Sequence, residues 1–130
     1  MNFEAVFKEK FKIEMNISGH KVCTDLPESM GGKAAGPTPL ELMLSALLSC
    51  SASSVYFYLA KHELPSEGIK ISLNPSFEKD MVTKAEITIN LPPSFPEDKK
   101  APLLAFAKHC KVGGHLKFQY DVKLETSAIK

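Results

Sequence analysis

The chain has 130 residues, 44% of them hydrophobic and 24% charged, with a net charge of +1 and a pI near 7.7. This is the make-up of an ordinary soluble protein, its length points to one domain over residues 1–130, and its near-neutral balance removes the electrostatic case for nucleic acid or an anionic membrane as partner. All 16 basic residues are lysine, so no guanidinium of this chain can clamp an oxyanion or thiolate in a bidentate fork. Three cysteines, Cys23, Cys50 and Cys110, are odd in number and far apart, unlike a secreted disulfide framework. The N-terminal segment is charged and alternating rather than signal-like, so the expected location is the cytoplasm.

Residues 2–9 and 11–18 alternate apolar and polar, as half-buried strands do. Ser18-Gly19-His20 reads as a turn and residues 20–24 as a third short strand. Residues 25–38, with Gly31-Gly32 and Gly36-Pro37, read as a loop. A long helix follows, with Thr38 as N-cap, Pro39 at its first position and Glu41 in its first turn. It should run to His62 or Glu63, where Leu64-Pro65 stops it. Residues 40–59 are long enough to span a bilayer, but Glu41 and five serines interrupt the apolar run, and a helix in a water-soluble fold is expected. Residues 68–73 and 83–91 read as an antiparallel hairpin turning near Lys79-Asp80. Pro92-Pro93 and Pro96 form a stiff linker. Pro96-Glu97-Asp98 opens a second helix, apolar through Leu103, Leu104, Phe106 and Ala107 as far as Cys110, and Gly113-Gly114 should break it. Residues 116–124 alternate strictly and read as the last strand. The order β-β-β-α-β-β-α-β is α+β.

The long helix is apolar nearly all round, which predicts burial. Ser45, Ser49, Ser51, Ala52, Ser53 and Ser54 give it a small-residue side that another backbone can approach. A chain of this length has few elements with which to cover the helix, so a homodimer with the helix at its centre is expected.

Cys50 sits mid-helix, and two roles are open to it: packing, the usual fate of a buried cysteine, or a protected reactive thiol. A reactive thiol needs a stabilised thiolate. Cys50 lies about three turns from the helix start, beyond the reach of the helix dipole. A cation or donor must then come from His20, His109, His115, Lys33 or Lys111. Cys110 lies among Lys108, His109 and Lys111, an electropositive setting that favours thiolate. The two thiols are 60 residues apart in the chain, and the sequence does not show that they meet in disulfide geometry. Cys23, His20, His109, Cys110 and His115 fit no zinc-ligand spacing, so no metal is expected. No Gly-rich phosphate loop and no serine nucleophile elbow appear, so no cofactor is expected either.

Ser18-Gly19-His20, Asp25, Gly31-Gly32, Gly36-Pro37-Thr38-Pro39-Leu40-Glu41-Leu42, Ser49-Cys50 and Ala107-Lys108-His109-Cys110-Lys111-Val112 together resemble the OsmC/Ohr family, nearest its short OsmC-like branch. The resemblance extends over nearly the whole chain. It implies an intertwined homodimer, two long central helices flanked by antiparallel sheets, in agreement with the element order above. It also implies thiol-dependent reduction of organic hydroperoxides. Cys50 would be the attacking thiolate, Cys110 the resolving thiol, and a dithiol such as a lipoyl protein the reductant. Two positions depart from the family pattern. The glutamate that follows the proline matched by Pro39 is here Leu40, and Glu41 comes one residue later, a rotation of about 100° on a helix. The family arginine that holds the thiolate is missing. Glu41 and His20 are the candidate activating groups that remain. The alternative reading is a non-enzymatic module that holds an apolar small molecule in the dimer cleft, with structural cysteines.

Overall fold

The computed structural model describes residues 1–109 and 111–116. Strands β1 (Phe3–Glu9), β2 (Lys12–Ile17) and β3 (His20–Thr24) form an antiparallel meander in chain order. Ile17 pairs with His20 across the two-residue turn Ser18-Gly19, whose φ angles are 50° and 90°. Two left-handed residues suit the twist of the flanking strands, and Asn16 Oδ1 accepts the Gly19 N–H at 2.8 Å. Directly paired residues share one face of a sheet. Phe3, Ala5 and Phe7 therefore align with their partners Ile17, Met15 and Ile13. This apolar face is open: Phe7 is 86% exposed.

The loop that follows closes around Asp25, with one turn of 3-10 helix at Glu28–Met30. Asp25 is only 2% exposed, and its carboxylate accepts the backbone N–H groups of Leu26 (2.8 Å), Lys33 (3.2 Å) and Ala35 (3.1 Å). The loop comes so close to its own start that a Cβ on Gly32 would lie 2.0 Å from the Leu26 carbonyl oxygen.

Helix α1 (Pro39–Lys61) starts with a reciprocal cap. Thr38 Oγ1 accepts the Glu41 N–H at 3.1 Å, and the Glu41 carboxylate accepts the Thr38 N–H at 3.0 Å. It ends where Glu63 turns left-handed (φ 53°), with the Leu64 N–H on the Leu59 carbonyl and the Glu63 N–H on that of Ala60. That is the Schellman pattern, and both ends agree with the sequence expectation. Ser51, Val55, Tyr58 and Leu59 form the buried stripe of α1. Val55, Tyr58 and Leu59 join Phe95 and Leu103 in the core, covered by Ile69, Ile71, Ile89 and Leu91. Elsewhere α1 is open, with Met43 45% and Phe57 69% exposed. The expectation of a helix buried all round is therefore not met within one copy of the chain. By length and composition alone, α1 is long and apolar enough to cross a membrane.

β4 (Lys70–Glu78) and β5 (Met81–Asn90) pair antiparallel around Lys79-Asp80, both at positive φ (50° and 65°). Towards the turn the strands run further than the expected residues 68–73 and 83–91, with Pro75 accommodated opposite Ala85, while at the far end β4 starts at Lys70 and β5 stops at Asn90. Among the described residues β4 and β5 form a two-stranded ribbon, and a proline whose N side faces away from the paired strand costs no bond of that ladder. A 3-10 turn at Glu97–Lys99 leads into α2 (Lys100–Ala107). This helix stops short of the expected end at Cys110. Gly113-Gly114 do not break a helix but sit inside a short one, α3 (Lys111–His115). A glycine costs a helix only about 1 kcal/mol, which a single docked turn can absorb. Cys110 and the expected final strand beyond Leu116 lie outside the described residues. The architecture is mixed α+β with antiparallel sheets, as the element order implied.

Candidate functional site

Cys50 is half-buried and opens on a cleft of about 350 Å³. Helix α1 supplies one wall through Cys50, Ser53, Ser54 and Phe57, whose spacing of three, four and seven residues puts them on a single helical face. Phe106 of α2 supplies the apolar wall opposite, and His109 and Lys111 complete the lining after α2 ends. The segment is tied to α1, because Ser54 Oγ donates to the His109 carbonyl at 3.3 Å. A second tie orders α3, where His115 Nδ1 donates to the Lys111 carbonyl at 2.6 Å. The site is thus a thiol flanked by two aromatic rings, an imidazole and an ammonium. Such a mixture can hold an apolar molecule beside a thiol, in a cleft whose lining also carries a lysine.

Of the five cation or donor candidates for Cys50, His109 and Lys111 line this cleft. Lys33 is engaged elsewhere, in an ion pair with Glu9. The hydrogen bond and charge of Glu9 raise the Lys33 pKa, and the same contacts lower that of Glu9. His20 is exposed at the start of β3 and His115 is exposed on α3. Cys23 is half-buried on β3 opposite Glu14, away from the cleft. Glu41 caps the helix. Nine residues separate it from Cys50, which is two and a half turns, so it projects from the opposite face roughly 13 Å along the axis. The Thr38 N–H is the first cause that holds the Glu41 carboxyl below its usual range. Cys110 lies outside the described residues.

Sequence reasoning missed Phe57 and Phe106 as site residues. Phe57 was within reach of it, since seven residues from Cys50 is two turns of helix. Phe106 is brought in by the docking of α2, for which no local pattern exists. A second cleft of about 280 Å³ between α1, β5 and α2 is lined by Leu47, Ile87 and Leu104, and its described lining holds no thiol or imidazole. Among the described residues no three of His, Cys, Asp and Glu converge as metal ligands would.

A family profile described as OsmC-like protein matches residues 31–125. Three solved structures are similar in fold. A protein of Psychrobacter arcticus 273-4, assigned to the osmotic-stress-induced and detoxification response, superposes with a TM-score of 0.77 at 17% identity, over 89% of this chain and 88% of that one. A structural-genomics structure gives 0.76 at 20% identity, over 90% and 89%. An organic hydroperoxide resistance protein from Legionella pneumophila gives 0.51 at 16% identity, over 90% of each chain. No curated protein sequence matches the chain.

Proposed function

The chain belongs to the OsmC-like protein family, and on that premise we propose that it is a thiol redox protein that reduces organic hydroperoxides at Cys50. The observation that carries the reading is the cleft of α1, whose lining Cys50 shares with Phe57, Phe106, His109 and Lys111. The aromatic walls suit the carbon skeleton of an organic hydroperoxide better than hydrogen peroxide. The Cys50 thiolate attacks the outer peroxide oxygen, and the O–O bond breaks. The sulfur becomes a sulfenic acid, while the leaving alkoxide takes a proton and departs as an alcohol. The thiol of Cys110 then condenses with the sulfenic acid, forming a disulfide and releasing water. A dithiol of the lipoyl type returns both cysteines to thiols by exchange and is itself oxidised to a cyclic disulfide.

A homodimer belongs to the same proposal. The open faces of α1 and of the β1–β3 meander are both apolar in each copy, and a second copy can cover both. The cytoplasm, where thiols stay reduced, is the compartment that suits the chemistry.

The test is consumption of cumene hydroperoxide with dihydrolipoamide as reductant. Cys50→Ser should abolish turnover, and Cys110→Ser should permit one equivalent of peroxide per chain before stalling. A Cys50→Ser protein that consumes peroxide as fast as the parent overturns the mechanism.

A second reading rests on one observation, that Glu41 is committed to the helix cap while the chain holds no arginine. In that reading the cleft binds an apolar molecule without turnover and the cysteines are structural. It predicts slow alkylation of Cys50, as for a thiol with a pKa at or above about 8.5.

A further inference from the structure

We propose that Lys111 supplies the positive charge that holds the Cys50 thiolate, and that the hydrogen bond from Ser54 to the His109 carbonyl positions it. The inference builds on the redox reading only in taking Cys50 as the working thiol. Three observations lead to it. First, the chain has no guanidinium, so any fixed cation at the thiol is a lysine or a protonated imidazole. Second, the titratable partners that line the cleft with Cys50 among the described residues are His109 of the α2–α3 junction and Lys111 of α3, while α1 and α2 contribute Ser53, Ser54, Phe57 and Phe106. Lys111 is the lysine of that set, and its ammonium is a compact point charge that needs no fixed fork to act on a thiolate. Third, His109 and the turn that carries Lys111 are each held by a hydrogen bond. Ser54 stands one turn beyond Cys50 on the same face of α1, and its hydroxyl holds the His109 carbonyl at 3.3 Å. Two residues further on, the Lys111 carbonyl accepts the His115 ring N–H, which closes the turn that carries Lys111.

The arrangement differs from a buried fork. Lys111 is exposed, so its effect on the thiol is screened by water and salt and should weaken as ionic strength rises. A lysine also holds a charge without bidentate geometry. The thiolate is therefore favoured by position and not by a rigid pair of hydrogen bonds.

The experiment follows alkylation of Cys50 by iodoacetamide in the fully reduced protein from pH 5 to 10, with the labelled peptide quantified by mass. Lys111→Met should move the titration curve up by about one pH unit and slow alkylation at pH 7 by about three- to ten-fold. Lys111→Arg should keep the parent curve within two-fold. Lys33→Met, which removes a lysine outside the cleft, should leave it unchanged. Ser54→Ala should move the curve in the same direction as Lys111→Met and by less. A Lys111→Met curve that superimposes on the parent's overturns the assignment, and an unmoved Ser54→Ala curve overturns the positioning. Cumene hydroperoxide consumption is measured on the same samples. A parent that leaves peroxide untouched while Lys111 still governs alkylation refutes the redox reading and supports this one.

Discussion

Asp25 is almost wholly enclosed, and its carboxylate is surrounded by backbone donors from the loop it anchors. The N–H of Ala35 is the largest of the contributions that lower its pKa from the ordinary 3.8. The carboxylate is bonded in the folded chain and hydrated in the unfolded one, so its folded pKa is the lower of the two. Its contribution to stability is then fully present above the unfolded value and is lost as pH falls from there through the folded one. Urea midpoints measured between pH 7 and pH 3 should fall for the parent below about pH 4. Asp25→Asn should be less stable than the parent at pH 7, with a difference that shrinks as the buffer is acidified. A difference that stays constant with pH removes the carboxylate's charge from the account. Gly32 belongs to the same device, because the loop passes so near the Leu26 carbonyl that no side chain fits there.

At the scale of single elements, the clearest features of the sequence are those whose causes lie within a few residues. Thr38-Pro39 and Glu41 set the start of α1, and the structure places both halves of the cap. Thr38→Ala should lower stability by about 1 kcal/mol, as removal of an N-cap hydroxyl does, read as a shift of the urea midpoint at unchanged slope. The turns at Ser18-Gly19 and Lys79-Asp80 were legible for the same reason, since a two-residue hairpin turn needs left-handed residues and little else. The end of α2 was not legible. Its apolar pattern continues through Ala107 towards Cys110, yet the helix ends at Ala107 and a new turn begins at Lys111. A tertiary contact stands at this point: the His109 carbonyl accepts the hydroxyl of Ser54 of α1, more than fifty residues away in the chain. The cleft shows the same division. Cys50 and the helical face around it follow from the 3.6-residue period, whereas Phe106, His109 and Lys111 arrive there by long-range docking. Glu41 illustrates how a correct local reading limits a functional one, since the carboxylate that caps the helix is carried to the face opposite the thiol.

For the molecule as a whole, one copy leaves too much apolar surface uncovered. Phe3, Phe7, Met43 and Phe57 are each at least 45% exposed, and they lie on the meander and on α1, which are separate parts of the chain. Contiguous apolar faces of this kind are rare on soluble monomers. Sedimentation at micromolar concentration should therefore give twice the mass of the 14.3 kDa chain. Phe7→Lys, at a side chain 86% exposed in the single copy, should shift the species towards a monomer while the β1–β2 pairing remains. A parent that sediments as a single chain at every concentration counts against a second copy.

The strand pairings bear on how such a molecule comes together in time. Among the described residues each strand pairs with its neighbour in the chain, β1 with β2, β2 with β3, and β4 with β5. Loops this short close with little entropy loss, and hairpins form on a scale of about microseconds. Each nascent chain can assemble its ribbons soon after it is made, without waiting for distant residues. In the proposed dimer, the meeting of α1 with its cover would come later and depend on encounter. If the proposed dimer supplies that cover, the surface of α1 is completed at a rate set by how many copies are present, and a scarce chain would keep it open for longer than an abundant one.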